Sequence, residues 1–161
     1  MTNILIPTDF TAASLKLAEQ ALQNTSDKKV NIILFHAFEH PASSHELFAH
    51  GVNEPQLGLM NELFRQACKQ LKDRYSKSVG RIVIRCMNGS TAVLFRNFVD
   101  ANDIDIIYCP AEYIFSKVHQ RSIDPVPFFK KSGLPVYKEF IKRAEPLFIN
   151  QHIIQTQLSA G

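Results

Sequence analysis

Short apolar runs with little polar alternation recur along the chain at Asn3–Thr8 (NILIPT), Val30–Phe38 (VNIILFHAF), Arg81–Met87 (RIVIRCM) and Asp105–Cys109 (DIIYC). Such runs read as strands covered on both faces, because both sides of the pleat must then be apolar. Between them the period changes to that of a helix. Leu15, Ala18, Ala21 and Leu22 recur at helical spacing after Thr11, whose hydroxyl can cap the first turn, and Asn24-Thr25-Ser26-Asp27 closes the helix. Met60, Leu63, Phe64, Ala67, Leu71 and Tyr75 form one stripe and predict a second helix from about Leu57 to Ser76. After the turn at Asn88-Gly89, Val93, Leu94, Phe95, Phe98 and Val99 predict a third, starting at Ser90 or Thr91 and ending at Asn102-Asp103.

Pro110 closes the fourth strand, since it has no N–H to continue a central ladder. After an irregular segment, Asp124-Pro125 supplies an N-cap and a proline at the first helical position, Phe128 and Phe129 the buried side, and Gly133 the stop. Pro135 to about Ile141 is the last strand. Strands alternating with helices in this way predict an α/β fold: an open five-stranded parallel sheet, helices on both faces, joined by right-handed crossovers. The expected organisation is one α/β domain over residues 1–141 and an extension over 142–161, whose Leu147, Phe148, Ile149, Ile153 and Ile154 suit packing on the body or on a partner. The loop from about Glu39 to Pro55 falls outside the pattern.

Composition changes this picture little. With 161 residues, 45% of them hydrophobic and 20% charged, the chain can bury a core of its own. No run reaches the ~18 apolar residues of a membrane span, and the N-terminus lacks the features of a secretory signal, so a cytoplasmic protein without a membrane association is expected. Cys68, Cys86 and Cys109 are widely spaced and read as reduced thiols of the core rather than as metal ligands. The net charge is +3, with Lys117, Arg121, Lys130, Lys131, Lys138, Lys142 and Arg143 gathered in the last third. Without a nucleic-acid-binding motif this is a solvated face, and no nucleic-acid partner is expected.

Pro7-Thr8-Asp9-Phe10-Thr11, following an apolar strand, resembles the I-L-V-P-T-D-F-S opening of the universal stress protein family. Phe35-His36-Ala37 is similar to the end of that family's second strand, Asn88-Gly89-Ser90 to the glycine after its third, Asp105-Ile106-Ile107-Tyr108 to its D-L-I-V strand, and Leu134-Pro135-Val136-Tyr137 to its closing P-V-L-V strand. The resemblance implies the strand order 3-2-1-4-5, with the switch point between the first and fourth strands. Ligands of such sheets bind at the carboxyl ends of the strands flanking that point. The candidate cleft is therefore Pro7, Thr8, Asp9, Ala37, Cys109, Pro110, Ala111, Glu112, Ser122, Ile123 and Asp124.

Nucleotide-binding relatives carry G-x-x-G, about nine residues, then G-S or G-T after the fourth strand, so that backbone N–H groups cradle phosphates. Here Pro110 and Tyr113 stand at the two glycine positions and Ser122-Ile123 at the G-S pair, and no glycine occurs between Gly89 and Gly133. Pro110 removes a donor, and Glu112 adds negative charge beside a polyanion. Lys117, His119 and Arg121 offer side-chain charges in the same segment. Asp9 has two readings: a ligand contact, as the resemblance implies, or a turn residue bonding nearby N–H groups. His36, within an apolar strand, reads as a hydrogen-bonded core histidine.

The expected function is a non-catalytic stress-response or signalling module, without a cofactor, that works by homodimerising and binding a protein partner. The alternative is a binder of ATP or another anionic small ligand in the cleft, and a third reading is a weak ATPase, which needs a metal-bound triphosphate. By resemblance the dimer strand is Pro135, Val136, Tyr137, Lys138 and Glu139, although Lys138, with Lys142 and Arg143 beyond it, would bring like charges together. His40, His45 and His50 match no zinc spacing, and Ser43-Ser44-His45-Glu46 lacks a nucleophile elbow, so neither a metal site nor hydrolase chemistry is expected.

Overall fold

The computed structural model describes residues 1–25, 28–40 and 58–138. In chain order the elements are β1 (Thr2–Pro7), a 3-10 turn (Ala12–Ser14), α1 (Leu15–Gln23), β2 (Val30–Phe38), α2 (Glu62–Arg74), β3 (Val79–Asn88), α3 (Ala92–Ala101), β4 (Ile106–Tyr108), β5 (Ser122–Ile123), α4 (Val126–Lys131) and β6 (Val136–Tyr137). The sheet runs β3-β2-β1-β4-β6 with every neighbour parallel, which is the expected order with β6 as its fifth member. The apolar pattern does not predict β5. It pairs antiparallel with the end of β2, Ala37 opposite Ile123 and Phe38 opposite Ser122.

The continuous apolar runs are explained by two cores, one on each face. Ile4 and Ile6 of β1 and Ile32, Leu34 and Phe38 of β2 face α1 and α2, where Leu15, Ala18, Leu22, Phe64 and Leu71 meet them. Leu5, Ile33, Phe35 and Ala37 point the other way, into Phe95, Val99, Phe128 and Phe129 of α3 and α4. That alternation is the strand period of two, and each fully buried side chain of this size contributes about 1.5–3 kcal/mol. Asn61 caps α2 by accepting from the N–H of Phe64, and Thr91 caps α3 by accepting from that of Leu94.

Some expectations need correction. The second helix is shorter than Leu57–Ser76, and Leu63 leaves its stripe: it is 75% exposed. At about 100° per residue it lies a quarter-turn from Phe64, outside the arc of Phe64, Ala67 and Leu71. Val93 is likewise exposed on α3. Of the three cysteines only Cys109 is buried, Cys68 and Cys86 being half-buried, and none of the three is in a disulfide. The last strand is described only at Val136–Tyr137. Glu139, the 142–161 extension, most of the 39–55 loop and His45, His50 and Ser43-Ser44 lie outside the described residues.

Candidate functional site

The carboxyl end of β1 turns sharply. Thr8 is fully buried; its N–H donates to the Phe35 carbonyl at 2.9 Å, and its hydroxyl oxygen accepts the Phe10 N–H at 3.1 Å and pairs with Ser14 Oγ at 2.8 Å. Asp9 accepts from the Thr11 N–H at 3.1 Å and from the Thr11 hydroxyl, which is the turn role read from its position. Phe10 adopts a left-handed backbone, φ 63°, and its ring drops into the core against Phe64 and His36. Thr11 then caps the 3-10 turn that leads into α1.

Across from this turn, the chain leaving β4 passes to the end of β2. Cys109 and Pro110 are buried, whereas Ala111, Glu112 and Asp124 are exposed. Pro110 accepts the N–H of Tyr113 in a turn, and Asp124 accepts that of Val126 at the start of α4. The strip from His119 to Ile123 lies against β2: Arg121 accepts the Glu39 N–H at 2.7 Å, and Ala37 and Phe38 pair with Ile123 and Ser122. Of the cleft residues predicted from sequence, Thr8, Ala37, Ser122 and Ile123 are thus drawn into one bonded group.

His36 joins the two sides. Its Nδ1 lies 2.6 Å from the Thr8 carbonyl and its Nε2 2.8 Å from Ser122 Oγ, while Ser122 Oγ also accepts the His119 N–H at 3.2 Å. Burial holds the pKa of His36 below its ordinary value, against the opposing pull of the Thr8 carbonyl and Asp9. Ser122 and His36 have the connectivity of a nucleophile and its base. Ser122 is, however, 6% exposed, and its oxygen also takes the His119 N–H, so the bonds of the pair lie inside the fold.

No residue from 110 to 124 has a positive φ. The N–H groups of Tyr113, Val118, His119, Arg121 and Ser122 are all used inside the segment. Those five donors are committed within the chain and are not turned towards a phosphate. Charges of both signs lie around the opening, Lys138 acting on Cys109 against Asp124 and Glu112. Burial, then Asp124 and Glu112, push the Cys109 thiol up to about 12, and burial, followed by Cys109, Asp9 and Asp124, raises the Tyr113 phenol as well. Sequence reasoning offers His119 as a side-chain charge for a ligand but not as a partner of Ser122, and it places Tyr113 only as a lost glycine.

The profile of the universal stress protein family matches residues 1–112. The chain belongs to the universal stress protein family. No curated protein matches it. Among solved structures it is similar to the hypothetical protein PH0823 (15% identity, TM-score 0.54, covering 89% of this chain and 97% of that one) and to the hypothetical protein MJ0577 (20% identity, TM-score 0.52, with the same coverages). It is also similar to the universal stress protein UspA from Lactobacillus plantarum (13% identity, TM-score 0.52, covering 84% and 95%). These likenesses concern the fold.

Elsewhere, a shallow depression of about 220 Å³ lies between α1 and α2, where Arg74 bonds Glu19 at 2.9 Å over Leu15, Ala67 and Leu71. Among the described residues no helix is long and apolar enough to cross a membrane, and no group of three or more His, Cys, Asp or Glu is placed to hold a metal ion.

Proposed function

We propose that this universal stress protein family member is a non-catalytic stress-response or signalling module that acts by dimerising and binding a protein partner. The observation that carries this reading is the contact between Ser122 and His36: the residue at the G-S position turns inward and bonds the sheet, where a nucleotide site would need an outward-facing donor. Pairing of Ala37 with Ile123 uses the same strand end. β6 ends the strand order, and an edge of this kind suits addition of a second copy. Lys138, exposed just beyond it, favours a dimer in which the two strand ends are offset, since directly opposed lysines repel.

The alternative, ATP or another anionic ligand between β1 and β4, draws on exposed Lys117 and half-buried Arg121. Against it stand Asp9, Glu112 and Asp124 around the same opening. Thermal unfolding with and without millimolar ATP and Mg²⁺ separates the readings: the proposed module shows no shift, whereas a nucleotide binder melts higher. Sedimentation over a range of concentrations tests the assembly, and a concentration-independent monomer overturns the dimer.

A further inference from the structure

The hydrogen-bond partners of His36 fix the place of its proton. The Thr8 carbonyl can only accept, so Nδ1 carries the hydrogen and donates to it. Nε2 of the neutral ring is then an acceptor, and the Ser122 hydroxyl donates to it while its oxygen takes the His119 N–H. Every group is satisfied in this one arrangement. A proton added at Nε2 makes that atom a donor, so the Ser122 hydroxyl hydrogen must turn to another acceptor within a buried site. The rings of Phe10 and Phe38, 5.1 and 4.7 Å from the imidazole, supply none.

We propose that His36 is a proton-operated latch: protonation at Nε2 releases Ser122 and lets β5 lift from the end of β2. Besides the His36 bond, the strip is held by the two-residue pairing of β5, by the bond from the Glu39 N–H to the Arg121 carbonyl, and by the packing of the His119 ring on Phe38 and of Ile123 on the core, so release of Ser122 removes one of several ties. Groups around the ring act in both directions. Asp9, on the turn after β1, favours the proton; His119, on the docked segment, opposes it, and Arg121 acts in turn on His119. β3 contributes Cys86 as the register partner of His36, and α2 contributes the uncharged Phe64 behind Phe10.

The direction of the response follows from linkage. Burial depresses the pKa of His36 in the docked form, so the open form binds the proton more tightly. Docking is therefore fully stable above the open-form pKa, about 6.5, and weakens as pH falls from there towards the docked-form value.

Amide exchange in the full chain reads this directly. The Glu39 N–H is protected while β5 is docked, whereas the Val30 N–H, bonded to the Ser78 carbonyl at 2.9 Å, reports the opposite end of the sheet. Below about pH 6.5 the Glu39 protection factor is expected to fall by up to about tenfold per pH unit while that of Val30 holds. His119→Gln should keep the response and His36→Gln should abolish it; if His36→Gln does not fold, the wild type and His119→Gln decide. Equal changes at Glu39 and Val30, a response lost in His119→Gln, or one retained in folded His36→Gln would each overturn the latch.

Discussion

Asn3 and Asp105 are bonded in both directions: the Asn3 N–H donates to Asp105 Oδ2 at 2.9 Å, and the Asp105 N–H donates to the Asn3 carbonyl at 3.0 Å. The Asn3 side chain extends the link, donating to the Asp103 carbonyl at 2.8 Å and accepting from the Asn31 amide at 2.8 Å. It is 8% exposed, so water replaces these bonds poorly. Asn3→Ala is expected to cost about 1–3 kcal/mol, because it strands the carbonyl and the amide together. Urea unfolding measures this, and an unchanged midpoint would contradict it.

Phe10 sets two effects against each other. Its left-handed backbone costs about 1–3 kcal/mol, which glycine would relieve, but its ring is 4% exposed and truncating such a ring costs about 3–5 kcal/mol. The ring wins. Phe10→Gly should destabilise by roughly 2 kcal/mol on balance, read as a lower denaturant midpoint; a stabilised variant would show that the turn strain outweighs the burial of the ring.

Gly89 ends β3 with φ 134°, and its N–H donates to the Phe38 carbonyl at 2.7 Å. A Cβ there would run into Leu94 Cδ2, a side-chain end that can move; the backbone angle has no such freedom. Gly89→Ala is therefore expected to cost about 1–3 kcal/mol even with Leu94 displaced. Chemical denaturation of Gly89→Ala beside Leu94→Ala/Gly89→Ala tests this: if the double variant returns to the stability of Leu94→Ala alone, the clash rather than the angle was the cost.

Cys109 should resist alkylation in the folded protein. Burial and the neighbouring Asp124 and Glu112 carry its thiol to about 12, leaving on the order of one part in ten thousand as thiolate at pH 8. Burial alone carries Cys68 to about 11, so the more accessible Cys68 should label before Cys109. Mass spectrometry after iodoacetamide treatment at pH 8, with and without denaturant, checks the order; rapid labelling of native Cys109 would refute it.

The fold was legible because its strands are buried on both faces: Ile4, Leu5 and Ile6 have no accessible surface between them, which leaves a run with no polar residue to interrupt it. β5 left no such trace. Two residues carry no period, and Ser122-Ile123 is a strand only because Ala37 and Phe38 lie alongside. At the site, His36 could be read as a bonded core histidine from its apolar surroundings, and Asp9 as a turn residue from its place after a strand. Their long-range partners could not, since Ser122 lies 86 positions from His36 and nothing local links the two. The absent glycines did not reveal that the strip folds back onto β2.

The bond between Asn3 and Asp105 joins residues 102 positions apart, and it fastens the central strand of the sheet. On a ribosome delivering 5–20 residues per second, β1 emerges and then waits roughly 5–20 s before β4 exists to cover its second edge. For most of that interval β2 can cover one edge of β1 while the other edge has no partner. Completion of the sheet is thus a late event in synthesis, and slow translation between β1 and β4 prolongs the period in which this chain is most open to aggregation.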